Sequence, residues 1–391
     1  MIISNATYWD GERIARGSLR NGPSDEEFDA AGKLAIPAFN NRHTHLAMTL
    51  MRGAGEGAKL QEWLNHTIFP MEQRLTPDLV RRGAMLGLAE MIRTGTSAFT
   101  DMYYFVEAVA DAVEKSGIRG TLGTPITDFT TPYYGGADEA LRVAERQLSG
   151  PRRPRVDYCV APHSIYLCPE DVLVRAKALA RKHGVKLTTH ASETRKECVD
   201  CHRKTGLWPV EYLDSIGLLD EGTELIHCAW LTKMEIRLLA GRGCTVVHCP
   251  ASNMKLASGG VMPLPELLGA GVRVVLGTDG ASSNNSLDMM REMKFGSLLQ
   301  KAHRWDATAA PAPVMLQMAT AGSRDLAFVD LDDVRMLPRH DLAANLVYSG
   351  GAVTDLLVDD RFVLRDGAIT TFDEQAVKRE FLEAAGELLG P

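Results

Sequence analysis

From about residue 34 to residue 326, short apolar runs alternate with longer amphipathic stretches. The runs at 34–46, 96–102, 118–126, 155–164, 186–192, 224–230, 244–250 and 273–280 predict eight strands. They are nearly continuous in apolar residues, the pattern of strands covered on both faces in a parallel sheet. The stretches between them carry helix signals. Thr76-Pro77 supplies a capping hydroxyl and a first-turn proline, and PEDVLVRAKALARKHG (169–184) opens at Pro169-Glu170 and closes at Gly184. Eight strand–helix units predict an α/β fold of the (β/α)8 TIM-barrel type. An open doubly wound sheet is the rival, but no GxGxxG follows the first strand.

The two chain ends read differently. Residues 1–33 contain short strands and turns, and 327–372 contain AFVDLD, NLVYSG, DLLVDD and RFVLRDGAITTFD, which read as hairpin material with Asp366-Gly367 at a turn. The expected organisation is therefore a barrel over 34–326, a small composite β-sandwich built from 1–33 and 327–372, and a closing helix over 373–391.

With 391 residues, 45% of them hydrophobic and 24% charged, the chain can bury a large core. A net charge of -7 with scattered Lys and Arg offers no basic face, which argues against a nucleic-acid partner. The start, MIISNATYWDGERIARGSLRNG, lacks a basic segment followed by an apolar one, and no run reaches membrane-spanning length. These features predict a cytoplasmic protein with no membrane partner. Seven scattered cysteines read as reduced thiols. The stretch Cys198-Val-Asp-Cys201-His202 matches the CxxCH haem-attachment pattern, but in this context it reads as two incidental cysteines on a helix.

The chemistry gathers at the strand ends. His43 and His45 end the first predicted strand, His163 the fourth, His190 the fifth, His227 the sixth, His248 the seventh and Asp279 the eighth. Carboxyl ends of barrel strands converge on one face. In an HxH pair on a strand both side chains point the same way, so both can reach one ion. Several neutral imidazoles with one carboxylate suit a zinc or iron centre. A single strand-end histidine is as often a hydrogen-bonded core residue, but six at successive ends are hard to explain that way.

The segments FNNRHTHLAMTLMRG, EWLNHTIFPMEQRLT, APHSIY, THASET, IHCAW, CPASNMKLASG and GTDGASSNNSLDM resemble the signature segments of the amidohydrolase superfamily. The likeness is to the branch of S-adenosylhomocysteine/5'-methylthioadenosine deaminases and chlorotriazine hydrolases, and it runs from about residue 34 to 320. By that resemblance His43, His45, His190 and Asp279 would bind one divalent metal ion per chain, zinc or else iron. Two-metal members carry a bridging lysine where this chain has His163, which implies a single ion. The ion would activate water, Asp279 would take the water proton, Glu193 would protonate a ring nitrogen and His227 would orient the attacking group. Trp63 would pack on the substrate ring, Glu72 would hold ribose hydroxyls, and His163 and Glu193 would touch the substrate.

The implied reaction is hydrolytic deamination of a 5'-modified adenosine to the inosine analogue and ammonia. Methylthioadenosine, S-adenosylhomocysteine, 5'-deoxyadenosine, adenosine and aminodeoxyfutalosine are the candidate substrates, with a homo-oligomer, dimer or tetramer, as the expected assembly. The alternative enzyme reading is deamination or dechlorination of a free heterocycle such as guanine or a triazine. A different class is a haem or redox protein through CVDCH, or a metal-bearing barrel that only binds ligands. The chain departs from the family pattern in three places. TPITDFTTPYYGGADEA has no arginine to receive a homocysteine carboxylate, the loop RGAGEGAKL is less acidic than usual, and the C-terminal β-region is about one hairpin short.

Overall fold

The computed structural model describes residues 1–58 and 60–389. Eighteen strands are found among them. From the N-terminus come β1 (Ile2–Trp9), β2 (Ile14–Arg20), β3 (Glu27–Asp29), β4 (Lys33–Pro37), β5 (Phe39–Thr44) and β6 (Thr96–Met102). Next are β7 (Arg119–Gly123), β8 (Pro125–Ile126), β9 (Val156–Tyr158), β10 (Ala161–Pro162), β11 (Leu187–Ala191) and β12 (Thr223–His227). The series ends with β13 (Thr245–His248), β14 (Arg273–Leu276), β15 (Leu326–Asp330), β16 (Val353–Val358), β17 (Arg361–Arg365) and β18 (Ala368–Ile369).

The middle of the chain is α/β with parallel strands, as its patterning predicts. One four-stranded parallel sheet runs β5-β6-β7-β9 and another β11-β12-β13-β14, with β10 and β8 pairing between them. These ladders are interrupted where a single cylinder was expected. The third and fourth expected strands divide into β7/β8 and β9/β10. Pro125, just past the first break, has no amide hydrogen to give. At the second the chain changes partner, the Cys159 amide donating to the Leu122 carbonyl and the Val160 amide to the Lys186 carbonyl. The sheets still meet on both flanks. Parallel bridges join Val160 to Leu187 and Ser164 to His190, and on the far side the Asp279 amide donates to the His43 carbonyl at 2.9 Å. Every residue of β11, β12 and β13 is buried, and Met102, Ala161, Ile226, Val247 and Val275 from both sheets pack together. Apolar strands in the sequence thus become the shared interior of two sheets.

The helix starts read from the sequence form as expected. Thr76 caps Pro77–Arg93 by accepting from the Leu79 amide, and Glu170–His183 ends at Gly184 in the left-handed conformation.

The chain ends share one eight-stranded sheet in the order β18-β17-β16-β15-β4-β1-β2, with β3 beside β1. Its centre is the antiparallel pairing of β4 with β15, Leu34 opposite Val329 and Ile36 opposite Ala327. The expected first strand is thereby divided: 34–37 belongs to this sheet, and only β5 enters the parallel one. One expectation fails here. NLVYSG, read as hairpin material, lies in the helix Leu342–Ser349, capped by Asp341 accepting from the Ala344 amide. A closing helix spans Glu374–Leu389, and residues 390–391 of the expected segment lie outside the described residues. Among the described residues no helix is long and apolar enough to cross a membrane.

Candidate active site

The cluster starts from β5. Its alternation puts His43 inside, 1% exposed, and His45 follows just past the strand end. That end is held by Asp101 of β6, whose Oδ1 accepts from the Thr44 hydroxyl at 2.8 Å and the Leu46 amide at 2.7 Å. His45 Nδ1–H donates to the Met102 carbonyl at 2.6 Å, and His190 Nδ1–H donates to the His163 carbonyl at 2.8 Å. In both rings Nδ1 is thereby committed, and Nε2 faces the cluster. His43 Nε2 lies 3.2 Å from His190 Nε2 and 3.3 Å from Asp279 Oδ1, and His45 Nε2 is also 3.3 Å from that oxygen.

Two overlapping sets of donor atoms, His43/His45/Asp279 and His43/His190/His227, each fit within 4.8 Å. Their protonation suits a cation. Burial pushes His43 down to about 4 and His190 well below the usual histidine range. For Asp279 burial works upward, but the adjoining His43 and His45 rings override it and hold the carboxyl well below its usual range. His45 is the exception: burial works downward on it, yet the Asp279 carboxylate pulls it up to about 9. A cation at its Nε2 would take the place of that proton. The converging ring nitrogens of His43, His45 and His190, with one ionised carboxylate among them, fit a divalent metal.

Asp279 is held on its other side. Its Oδ2 accepts from the hydroxyls of Ser252 at 2.6 Å and Ser283 at 3.0 Å, and its Oδ1 from the Gly280 amide at 2.8 Å. The backbone is strained at the same ends: Ser192, His227, Cys228 and Asp279 have φ of 52°, 73°, 47° and 61°. Such left-handed angles in residues other than glycine cost about 1–3 kcal/mol each and gather where a fold fixes functional groups.

Of the site residues expected from the sequence, Trp63, Glu72, His45, His163, His190, Glu193, His227 and Asp279 line one cavity of about 180 Å³. His43 lies behind the lining. Glu193 is 6% exposed, with Oε1 at 3.8 Å from His227 Nε2, and burial is the main cause raising its pKa. Asn253 Nδ2 lies 3.2 Å from His227 Nδ1 and orients that ring. Glu72 is buried too, its carboxyl pushed up to about 7 by desolvation while Tyr103 works the other way. Trp63 is anchored by its indole N–H donating to the Ala54 carbonyl at 2.9 Å, at the start of a single π-helical turn, Leu64–Ile68. Such turns recur at functional sites.

His248 ends β13 as expected but does not line the cavity. Neither do Cys198 and Cys201, which are buried on the helix Arg195–Thr205, while His202 stacks on Trp208 at 4.4 Å and 12°. The sequence reading assigned no role to Asp101, Ser252, Asn253 or Ser283, although CPASN and GTDGASS contain three of them. It also missed the aromatic wall of Tyr103, Tyr104, Phe129 and Tyr166. In the loop RGAGEGAKL, Lys59 lies outside the described residues.

Imidazoles and a carboxylate converging at the ends of parallel strands, beside a cavity, define a hydrolase-type metal centre. The chain belongs to the amidohydrolase family, whose family model matches residues 34–325. It is 41% identical, over 100% of this chain and 99% of the relative, to a 5'-deoxyadenosine deaminase of Methanothermobacter thermautotrophicus. It is also 41% identical to a 5-methylthioadenosine/S-adenosylhomocysteine deaminase of Haloarcula marismortui, over 93% and 89% of the two chains. Among solved structures, a zinc-bound adenosine deaminase from Xanthomonas campestris superposes with a TM-score of 0.94 at 29% identity, covering 99% of this chain and 98% of that one. An atrazine chlorohydrolase of Arthrobacter aurescens complexed with zinc shares the fold, with a TM-score of 0.91 at 20% identity over 98% of this chain and 100% of that one.

Proposed function

We propose that this protein is a metal-dependent aminohydrolase that converts a 5'-modified adenosine to the corresponding inosine analogue and ammonia. The observation that carries the reading is the shared cavity, where Glu193 and the His–Asp cluster stand with Glu72 and Trp63. The deaminase names of relatives at 41% identity support it.

His43, His45, His190 and Asp279 would hold one divalent ion, zinc or else iron. Bound there, the ion supplies the positive charge that makes a water molecule acidic near neutral pH. Asp279 takes the water proton, its Oδ2 being steadied by Ser252 and Ser283. His227 faces the same spot through Nε2 and orients the attacking oxygen. Glu193, whose burial favours the protonated form, gives its proton to the ring nitrogen next to the attacked carbon. The C–N bond to the exocyclic amine then breaks as that nitrogen gains the proton Asp279 took from water, the new hydroxyl returns a proton to Glu193 as it becomes a carbonyl, and ammonia leaves. Trp63 packs on the base, His163 touches the substrate, and the Glu72 carboxylate accepts from ribose hydroxyls.

In this reading the two parallel sheets and the pair between them are the one (β/α)8 barrel expected over 34–326. The composite β-sandwich expected of 1–33 and 327–372 corresponds to the single end sheet, and the closing helix to Glu374–Leu389. The β4–β15 pairing supports a domain shared by both chain ends, with 34–37 belonging to it rather than to the barrel. An ammonia-release screen over adenosine derivatives, guanine and a chlorotriazine, with metal analysis of the same sample, tests the function. Preference for a free heterocycle over every adenosine would overturn the nucleoside reading.

A further inference from the structure

Glu197 is buried, 6% exposed, yet it does not line the cavity. Its carboxylate is spent on the chain just before it. Oε1 accepts from the Ser192 amide at 2.9 Å, and Oε2 accepts from the Glu193 amide at 2.8 Å. A glutamate at the third position of a helix usually reaches back to the amide of the capping residue. Here the cap is Thr194, whose hydroxyl accepts from the Glu197 amide at 3.1 Å, and the glutamate reaches one and two residues further back. Residues 193 to 197 thus form a closed loop tied at both ends. Ser192, at the start of that loop, has φ of 52°, and its carbonyl accepts from the Trp230 amide at 3.0 Å. Nothing in the side chain of serine favours this conformation, so the contacts around it must hold it. Burial pushes the Glu197 carboxyl up to about 8, while the amides that donate to it work the other way.

We propose that Glu197 is a positioning residue: by gripping two consecutive amides it fixes the turn after β11 so that the Glu193 side chain points into the cavity beside His227. The proposal rests on the reading of Glu193 as proton donor. It separates the two glutamates of SETRKE by role, one meeting substrate and the other acting only through its neighbour.

A double-mutant cycle tests it, with kcat, KM and bound metal measured for Glu193→Gln, Glu197→Gln and the pair. Glutamine keeps the size of the side chain but has one acceptor oxygen in place of two. Glu197→Gln should lower kcat about tenfold with KM within about twofold and metal content unchanged, and in the Glu193→Gln background it should change kcat by less than about twofold. Glu197→Asp, too short to reach both amides, should also lose kcat. Equal losses from Glu197→Gln in both backgrounds would overturn this proposal alone. So would loss of metal or of folding in Glu197→Gln, because the carboxylate would then be holding the strand end as a whole. Full activity in Glu193→Gln would overturn the proton-donor reading and this proposal with it.

Discussion

His43 and His190 stand 147 positions apart in the chain, and their Nε2 atoms face each other at 3.2 Å. The His190 proton is committed to the His163 carbonyl, so its Nε2 can only offer a lone pair toward His43. At that distance either an N–H on His43 Nε2 or a cation lies between the rings, and a cation would meet both rings and the Asp279 carboxylate, 3.3 Å from His43 Nε2, at once. The purified protein should therefore carry about one zinc or iron per chain. His190→Ala should lose both metal and turnover. Two tightly held ions per chain by elemental analysis, or full activity after exhaustive chelation, would contradict a single-metal centre.

Glu193 is expected to act only as charge moves. Glu193→Gln should bind substrate about as well as wild type, keep its metal, and lose roughly 10²-fold or more in kcat. A comparable rise in KM with kcat preserved would instead make Glu193 a recognition residue.

Much of this site is legible in the sequence, for a local reason. The HxH pair, His190, His227 and Asp279 each fall at the end of an apolar run, and strand ends are where parallel sheets expose side chains to a common face. The partners that hold those groups leave no such mark. Asp101 acts through the amide of Leu46 and the hydroxyl of Thr44, and Ser252 and Ser283, 31 positions apart, meet each other and Asp279. Their roles come from chain crossings that periodicity does not encode. The break in the third strand follows from Pro125, which has no amide hydrogen to extend a ladder. The fourth breaks where the chain turns from Leu122 to Lys186 at Cys159 and Val160, a change of partner that periodicity does not encode. NLVYSG was misread because an apolar run that short fits helix and strand equally, and the Asp341 cap before it was given too little weight.

Glu72 gives a pH signature. Its carboxyl is pushed up to about 7, above the ordinary glutamate value, mainly by burial. Below that pH it is neutral, and the ionised form is the better acceptor for ribose hydroxyls. kcat/KM for a nucleoside should therefore climb as pH rises through about 7, and Glu72→Gln should flatten that limb. Glu72→Ala should cost a nucleoside on the order of 1–3 kcal/mol in kcat/KM, because it leaves hydroxyls unpaired. It should matter little for free adenine. An unchanged pH profile in Glu72→Gln would remove the ribose assignment.

The CxxCH match is expected to be incidental. Cys201 is 8% exposed and close to the Thr205 hydroxyl, and His202 is occupied in stacking on Trp208. Cys201→Ser should leave kcat within about threefold, the range of a change that touches neither substrate nor transition state. Visible spectra should show no haem band before or after the change. A covalently attached chromophore in wild type would overturn this.

The choice of 5' group follows from what faces the cavity. Phe69 and Phe129, with ring centroids 5.7 Å apart, Leu64, Ile68 and Leu167 make an apolar stretch of its wall, and among the described lining residues there is no arginine or lysine. Lys255, next to the lining residue Leu256, is already engaged by the Ser282 carbonyl at 2.9 Å and Asn285 Oδ1 at 2.6 Å. A homocysteine tail would bring a carboxylate and an ammonium against this wall, and charges taken from water without partners cost several kcal/mol. A methylthio group or a plain methyl carries no such cost and gains from contact with the aromatic rings. kcat/KM should thus favour 5'-methylthioadenosine or 5'-deoxyadenosine over S-adenosylhomocysteine by about tenfold or more, equivalent to roughly 1.4 kcal/mol. Replacing a wall residue by a cation, as in Phe129→Arg, should narrow that ratio by helping the charged substrate and hindering the neutral ones. If wild type turned over S-adenosylhomocysteine best, the carboxylate would have to find a partner outside this wall, and the apolar stretch would not be what sets selectivity.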